Sequence, residues 1–337
     1  MDLQNTKLPS ITLKKLVGNF KTYKGHVISF LKKHEHRLSN LIETNYHLGL
    51  FHMRGHKLND AIFRFRLILY FRPNHYWALY QLSRCLYAKD KIEKAQRKLL
   101  RALDVNPEFV EATYLLSLIG NKETPNSIPG SIIEEYYNNL VSQYDEEFCP
   151  KNGYRIPEYL VDLLVYNLKD ESKSYNVLDI GCGTGQCSGN LVSRITVDNL
   201  VGVDFSESML EEAKKLNKKG LYVFSKLVKA DYMQYLTKTA NKYDIVIAGL
   251  SLHFHKNLSD ILKKIKAVLV PGGVMAISIE KSFDNEKEVD FNYSFENFCY
   301  NKDYVEKEFK NAELQLEAIN EYSIKNDRLA FVIICKN

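Results

Sequence analysis

Apolar residues recur at a fixed distance in the first third of the chain. The positions Leu48, Ala61, Phe65 and Pro73 are followed 34 residues later by Leu82, Ala95, Leu99 and Pro107. Each unit has apolar residues at helical spacing, a small residue where two helices would cross, and a proline that cannot continue a helix. The pattern predicts antiparallel helix pairs at residues 41–74 and 75–108, with a third first helix at 109–120. A further helix is expected at residues 24–40.

The remainder of the chain alternates short apolar runs with amphipathic segments. The runs predict strands near residues 177–180, 201–204, 228–231, 243–250 and 273–280, and a closing antiparallel pair at 314–322 and 329–335. The amphipathic segments predict helices at residues 157–168, 207–216, 231–239, 258–268 and 303–311. The polar stretch 281–301 favours neither a helix nor a strand. Strands and helices that alternate in this way predict an α/β domain with a mostly parallel sheet.

Three glycines follow the first of these strands and open a helix. Gly181, Gly183 and Gly185 remove every side chain from the turn, so a ligand can lie against backbone beside a helix N-terminus. The third glycine comes one residue earlier than in the G-x-G-x-x-G turn that binds dinucleotides. Asp179 stands two residues before the first glycine, where a carboxylate would repel a pyrophosphate and suit a cation. A glycine-rich turn without any cofactor is the alternative.

Residues 177–185 (Val-Leu-Asp-Ile-Gly-Cys-Gly-Thr-Gly) resemble motif I of the class I S-adenosylmethionine-dependent methyltransferases, and four further landmarks follow in order. The resemblance implies a Rossmann-like domain with a seven-stranded, mostly parallel sheet that has one reversed strand. It implies S-adenosylmethionine as the cofactor, with Asp204 on the ribose hydroxyls and Asp231 beside the adenine amino group. The cofactor-binding residues that it implies are Tyr144, Asp179, Gly181, Gly183, Gly185, Asp204, Phe205, Asp231, Tyr232 and Gly249.

The 34-residue period resembles the tetratricopeptide repeat. The resemblance implies an α-solenoid at residues 1–123, a linker at 124–132 and the methyltransferase domain at 133–337. The first helices of such repeats line a concave groove, for which an acidic protein or peptide is a possible partner. Core packing is the alternative for each single aromatic residue. The groove residues that the resemblance implies are Tyr46, Leu50, Arg54, Trp77, Tyr80, Arg84, Tyr87 and Tyr114.

Residues 133–157 resemble the entry segment of bacterial tetratricopeptide-repeat methyltransferases, on the basis of residues 136–145 and 153–157. The resemblance implies a lid that contains Tyr144 and folds over the cofactor. Exclusion of water would be its physical purpose, because the sulfonium should react with the bound acceptor alone. The alternative is an amphipathic helix that only packs the domains together.

Methyl transfer to a hydroxyl or carboxyl acceptor needs a base, and the residues after the fourth strand include a candidate. His253 lies at the sheet edge where ligands bind, and it is the candidate base for a hydroxyl or carboxyl acceptor. The alternative is a histidine that only hydrogen-bonds a loop carbonyl. Residues 248–251 differ from the Asn/Asp-Pro-Pro-aromatic box of many amine methyltransferases, and Cys149-Pro150 reverses the Pro-Cys order of enzymes acting on pyrimidine carbon five. Base methylation by those two mechanisms is therefore disfavoured.

The net charge of +5 is divided unevenly. Residues 1–130 hold 21 Lys and Arg against 10 Asp and Glu, whereas residues 131–337 hold 25 against 31. The basic part suggests an anionic partner, which could be an acidic protein, a nucleic acid or lipid headgroups. A solvated face in a lysine-rich proteome is the alternative. Six cysteines without paired spacing, and no apolar run of ~20 residues, predict a cytoplasmic protein with no metal site and no transmembrane segment.

The preferred hypothesis is a methyltransferase whose repeats recruit or orient the methyl acceptor, which is a small molecule or a protein. Two alternatives stay open. In the first, the repeats form a scaffold and the second domain binds the cofactor without turnover. In the second, the enzyme methylates nucleic acid and the basic part supplies the electrostatic contact; this alternative is not favoured.

Overall fold

The computed structural model describes residues 40–53, 55–120, 126–148, 150–168, 173–218, 220–284, 286–292, 297–325 and 328–337. The chain divides into two compact units, Met1–Lys122 and Glu123–Asn337. The helix predicted at residues 24–40 lies outside the described residues up to residue 39, and so do Arg54 and Cys149.

The described part of the first unit is helical. Its helices are α1 (residues 40–53), α2 (Leu58–Phe71), α3 (Tyr76–Tyr87), α4 (Ile92–Val105) and α5 (Val110–Ile119). Ala61 and Ala95, which are 34 residues apart, are both fully buried in one core. Gly49 lies at a close approach in this core, because a Cβ there would be 2.6 Å from the ring of Phe65. The helices are therefore present where the 34-residue pattern predicts them.

Two of the eight predicted groove residues are buried. The ring centroid of Tyr80 lies 5.2 Å from that of Phe109, and Tyr80 belongs to the core of the unit. Tyr114 is 3% exposed. The interpretation of Tyr80 as a surface residue is thus wrong, and core packing accounts for it. Tyr87, at the end of α3, is exposed.

The second unit is built on a sheet of seven strands in the order β10-β11-β7-β6-β1-β2-β5. All neighbouring pairs are parallel except those that β11 makes with β7 and β10. The predicted seven-stranded sheet with one reversed strand is confirmed. The strands, in chain order, are β1 (Ser174–Ile180), β2 (Thr196–Asp204), β3 (Asn217–Lys218), β4 (Leu221–Tyr222), β5 (Lys226–Lys229), β6 (Tyr243–Gly249), β7 (Leu269–Glu280), β8 (Val289–Asn292), β9 (Asn297–Tyr300), β10 (Gln315–Lys325) and β11 (Arg328–Lys336).

Helices cover both faces of the sheet, as in Rossmann-like folds. They are α6 (Gly130–Glu147), α7 (Ile156–Asn167), α8 (Gln186–Val192), α9 (Glu207–Ala213), α10 (Tyr232–Lys238), α11 (Ser259–Val268) and α12 (Lys302–Asn311). Helices α7 and α8 share a hydrophobic core with β1, β6, β7 and β11. The central strands are apolar at nearly every position because both of their faces are buried.

The prediction for residues 281–301 is wrong. The strands β8 and β9 pair as an antiparallel hairpin in this stretch. Phe291 and Phe298 are buried in the hairpin with ring centroids 5.0 Å apart. The charged residues at 284–290 make this stretch look polar in the sequence, so the apolar pair Phe291 and Phe298 was not recognised as part of two strands.

The described part of the predicted linker, residues 126–132, belongs to the second unit. The backbone N–H of Ile128 donates to the carbonyl of Phe254 at 3.0 Å, and that of Lys256 donates to the carbonyl of Asn126 at 2.8 Å. Helix α6 begins at Gly130. In the described part of the chain, none of the helices combines the length and the apolar character that crossing a bilayer requires.

Candidate active site

A cavity lies where strands β1, β2 and β6 end. The carboxyl ends of parallel strands are the edge at which open α/β sheets bind ligands. Seven of the predicted cofactor residues line the cavity: Tyr144, Gly181, Gly183, Asp204, Phe205, Tyr232 and Gly249.

The glycine turn presents bare backbone to this cavity. Gly181 has a φ of 65°, and a Cβ there would lie 2.3 Å from the Cβ of Ser251. The Ser251 hydroxyl donates to the carbonyl of Ile180 at 2.7 Å, so the close approach is fixed by a hydrogen bond. Gly183 has a φ of 54°, and no atom lies within 4 Å of its Cβ position. The backbone at Gly183 therefore faces open space.

Asp204 ends strand β2 and fixes the shape of the turn. One carboxylate oxygen accepts the N–H of Gly183 at 2.9 Å, and the other accepts the N–H of Ser206 at 2.8 Å. Burial raises the pKa of Asp204, and these backbone donors act in the opposite direction. Each oxygen keeps a further lone pair, so the carboxylate can accept hydroxyl donors from the cavity.

Tyr232 lines the opposite side, and two hydrogen bonds hold its hydroxyl. The hydroxyl lies 3.0 Å from the carbonyl of Ser251 and 2.8 Å from Nε2 of His255. Because its single proton is donated to the carbonyl, Nε2 of His255 must carry the proton of the second bond. Burial lowers the pKa of His255. The ring centroid of Phe205 lies 6.4 Å from that of Tyr232.

Helix α6 covers the cavity. Tyr137 and Tyr144 line it, and burial raises the pKa of both hydroxyls well above the usual value. Near the end of the helix, Asp145 accepts from the Thr184 hydroxyl at 2.6 Å and from the Gln186 amide at 2.9 Å. These two bonds connect the helix directly to the residues that follow Gly183.

The middle and the beginning of α6 also contact residues that surround the cavity. The Ser206 hydroxyl donates to the side-chain carbonyl of Asn138 at 2.6 Å. Gly130 lies against the ring of Phe205, where a Cβ would come within 2.6 Å. The helix is thus attached at both ends to residues that surround the cavity.

Three predicted cofactor residues do not line the cavity. Asp179 is buried and accepts a 2.6 Å hydrogen bond from the Ser188 hydroxyl. Burial raises the pKa of Asp179 to about 7, Ser188 opposes the rise and Asp204 adds to it. Gly185 precedes α8, where a Cβ would meet Leu216 at 2.5 Å. Asp231 caps α10 by accepting from the N–H groups of Met233 and Gln234. Asp179, Gly185 and Asp231 thus contact other residues of the protein and do not form part of the cavity lining.

His253 is buried and does not line the cavity. Within the described residues its Nδ1 atom has no hydrogen-bond partner, so the loop-carbonyl bond of the alternative interpretation is not made through that atom. Burial lowers the pKa of His253 to about 4, although Glu280 acts in the opposite direction. A general base needs a pKa near the operating pH and a path to the acceptor. This environment does not suit the role that the sequence predicts.

Six lining residues were not identified from the sequence: Ile133, Tyr137, Met209, Leu250, Ser251 and Phe254. Leu250 and Ser251 directly follow strand β6, so the rule that ligands bind after parallel strands could have found them. Leu250 has a φ of 48°, and its N–H donates to the Ser278 hydroxyl at 2.9 Å. In the described residues, no group of three His, Cys, Asp or Glu side chains is arranged to hold a metal ion.

Comparison with known proteins finds similarity to methyltransferases. Residues 177–273 match the family model described as "Methyltransferase domain". The demethylmenaquinone methyltransferase of Leptospira interrogans is 32% identical over 147 residues, which are 42% of this chain and 57% of that protein. The malonyl-[acyl-carrier protein] O-methyltransferase 2 of Ilyobacter polytropus is 25% identical over 36% of this chain and 46% of that protein. The chain thus spans about half the length of these relatives.

Among solved structures, magnesium protoporphyrin IX methyltransferase from Synechocystis with bound SAH aligns with a TM-score of 0.49 and 16% identity. The alignment covers 62% of this chain and 99% of that one. The family match spans the glycine turn, Asp204 and strand β6, which together bound most of the cavity. Residues 177–273 are therefore similar to a methyltransferase domain.

Proposed function

We propose that this protein is an S-adenosylmethionine-dependent methyltransferase and that the cavity holds its cofactor. The observation that carries the proposal is the pairing of a bare glycine turn with the Asp204 carboxylate at the ends of β1 and β2. The family match covers both features. When bound, the cofactor supplies an activated methyl group on a positively charged sulfur.

The charges around the cavity suit this cofactor. Among the residues that the structure describes, thirteen line the cavity, and they include one carboxylate, Asp204, and no lysine, arginine or histidine. A pyrophosphate would meet no cation there, whereas a positive charge meets a carboxylate and the aromatic rings of Tyr137, Tyr144 and Phe254. Asp204 would accept the ribose hydroxyls, and the backbone at Gly181 and Gly183 would lie against the cofactor. Phe205 and Tyr232 are placed to flank the adenine.

The residues of the chain contribute orientation and exclusion of water. The attached helix α6 acts as the lid in this proposal, because it covers the cavity with Tyr137 and Tyr144. Both hydroxyls stay protonated near neutral pH, so they can donate hydrogen bonds that orient an acceptor. Well-oriented reactants can gain up to ~7 to 11 kcal/mol relative to free encounter. Because no histidine or lysine among the described residues lines the cavity, the acceptor is expected to bring its own lone pair or anionic atom.

The acceptor class is a small molecule or a protein-borne group. The relatives are named for demethylmenaquinone and for malonyl-[acyl-carrier protein], so similar domains are named for very different acceptors. The helical unit is proposed to be a tetratricopeptide-like solenoid that recruits or orients the acceptor or its carrier, with an acidic protein or peptide as the partner. Helices at a 34-residue interval, with a shared core of small and large apolar residues, support this role. Five buried free cysteines are consistent with a reducing cytoplasm.

The test combines binding and turnover in the full chain. Calorimetric titration measures cofactor affinity, and incubation with methyl-labelled cofactor follows the label into small-molecule, protein and nucleic-acid fractions of a lysate. If the proposal is right, the protein binds the cofactor and the label appears in the small-molecule or the protein fraction. Binding with no labelled product in any fraction supports the non-catalytic scaffold. Label in the nucleic-acid fraction supports a nucleic-acid methyltransferase. No cofactor binding would overturn the proposal.

A further inference from the structure

Four cations gather on one side of the helical unit. Arg66 lies on α2, and Arg97, Lys98 and Arg101 lie on α4; we call these four residues the cationic face. The three arginines are exposed and Lys98 is half-buried. The pKa of Lys98 is lowered first by burial and then by the charges of Arg101, Arg66 and Arg97. The four charges are therefore close enough to repel one another.

No acid neutralises the cationic face. Within the described residues, none of its four members forms an ion pair, and none donates a side-chain hydrogen bond. The acids of the same helix, Glu93 and Asp104, do not pair with them either. Directly after α9 of the second unit, by contrast, Lys214 and Lys215 each pair with a glutamate of that helix. Arg97 and Arg101 are four residues apart on one helix, where like charges destabilise it. Binding of an anion would reduce the repulsion among these four positive charges.

Large apolar side chains are exposed beside these cations. Phe63 is 60% exposed, Tyr70 is 78% exposed and Leu100 is 50% exposed. Phe63, Arg66 and Tyr70 are spaced i, i+3, i+7 and so share one stripe of α2. Neither aromatic ring contributes to the core of the unit. Arg64 lies over the Phe63 ring at 5.7 Å, and the ring centroid of Phe71 is 5.1 Å from that of Tyr70. Both aromatic rings nevertheless stay largely exposed and can contact a partner.

We propose that the cationic face, with Phe63 and Tyr70, binds a single-stranded nucleic acid. Arginine guanidinium groups match phosphate geometry, and every base has a face that can stack on an aromatic ring. An acidic peptide would use the charges but not the two rings. The site goes beyond the proposed methyl transfer and does not depend on cofactor binding. From Phe63 to Tyr70 the helix advances roughly 10 Å, which is enough for about two stacked bases.

The number of cations sets the expected salt dependence. For single strands, the slope of the logarithm of the binding constant against the logarithm of salt concentration is about −0.7 for each phosphate contact. Four contacts predict a slope of about −3. Replacing three of the cations should flatten the slope toward about −0.7 or abolish binding.

The experiment uses the full chain and fluorescence anisotropy with a labelled 20-nucleotide uridine RNA and the matching thymidine DNA, from 25 to 200 mM NaCl. The test variant carries Arg66→Glu, Arg97→Glu and Arg101→Glu. The matched control carries Lys226→Glu, Lys263→Glu and Lys310→Glu, which are exposed, have no ion pair in the described residues and give the same change in net charge. We expect the test variant to bind at least tenfold more weakly and the control to bind within about twofold of the parent.

A second variant separates stacking from charge. Phe63→Ala with Tyr70→Ala should weaken binding at least fivefold at every salt concentration and leave the slope unchanged, because no cation is lost. If the charge variant fails to fold by circular dichroism, this second variant decides the proposal alone. The proposal is overturned by the absence of oligonucleotide binding at 25 mM NaCl, by equal binding of the parent and the double alanine variant, or by a preference for polyglutamate or anionic phosphatidylserine vesicles over RNA and DNA.

Discussion

Two aspartates at the ends of neighbouring strands have different surroundings. Asp204 lines the cavity and binds the N–H groups of Gly183 and Ser206, whereas Asp179 is buried against Ser188. In the sequence both are acids at or near the end of an apolar run, and the family resemblance implies a cofactor role for both. The difference depends on strand register, because Asp179 pairs with Gly202 and Asp204 extends beyond the β1 pairing. Register is a tertiary property, so the sequence alone did not separate the two roles.

The first residue-scale prediction concerns Asp204→Asn. The variant keeps the size of the side chain but loses the negative charge that would accept two ribose hydroxyls. We expect cofactor affinity to fall roughly 10- to 100-fold, since hydrogen bonds to a charged group contribute about 1.5 to 3 kcal/mol. Calorimetric titration measures the change, and Asp303→Asn, an exposed acid on α12, is the control with equal charge. Unchanged affinity in a folded Asp204→Asn protein would contradict the assignment of the ribose to Asp204.

A second residue-scale prediction concerns the pH dependence of stability. The pKa of Asp179 rises from 3.8 to about 7 because the carboxyl is buried, so the folded state binds a proton that the unfolded state has already lost. The contribution of the Asp179 carboxyl to the free energy of unfolding is therefore fully present below about pH 4 and is lost as the pH rises through about 7. Asp179→Asn cannot ionise and still accepts a hydrogen bond from Ser188. The variant should melt at the same temperature as the parent at pH 4, and at a higher temperature at pH 8.

Thermal unfolding of the cofactor-free protein at several pH values tests this prediction. The comparison between parent and variant removes the contributions of other titrating groups, such as the buried His253, that are common to both. A melting-temperature difference that does not grow between pH 4 and pH 8 would contradict the raised pKa of Asp179.

Elements differ in how well local pattern predicts them. Strands β1, β2, β6 and β7 were predicted because apolar runs bounded by turns are typical of buried parallel strands. The hairpin of β8 and β9 was missed because the charged residues at 284–290 led to the whole stretch 281–301 being treated as polar, although β9 is largely apolar. Tyr137 and Phe254 are brought together by the packing of α6 on the loop after β6, with ring centroids 6.2 Å apart. The local pattern of apolar and polar residues does not predict such contacts between segments that are distant in the sequence.

The element-scale prediction concerns the attachment of α6. Asp145→Ala removes the acceptor for Thr184 and Gln186, so the end of the helix should open more often. We expect faster hydrogen exchange in residues 137–148 and a three- to tenfold faster release of cofactor, because the two hydrogen bonds, one part-buried and one exposed, contribute about 1 kcal/mol in total. Asp162→Ala, which removes an exposed ion pair from α7, should leave both rates unchanged. If exchange in α6 were the same in both variants, helix α6 would not be held closed by Asp145.

At the scale of the whole molecule, two patterns of different period predicted two kinds of structure. The 34-residue period predicted helices, and the alternation of strands and helices predicted the sheet. Each of the two compact units has a hydrophobic core of its own. The charge imbalance follows the same division, since the basic excess belongs to residues 1–130. What the basic unit binds depends on side chains from α2 and α4 together, which a linear count of charges does not identify.

Separate cores lead to the final prediction, which concerns thermal unfolding of the full chain. Each core should melt as a cooperative unit, so calorimetry should resolve two transitions. A ligand stabilises only the unit that binds it, by about 2.7 kcal/mol at a free concentration 100 times its dissociation constant. S-adenosylmethionine should therefore raise the melting temperature of one transition and leave the other unchanged. In Asp204→Asn the same cofactor concentration should give a much smaller shift, because occupancy falls with affinity. A single transition that shifts as a whole would show that the two cores unfold together.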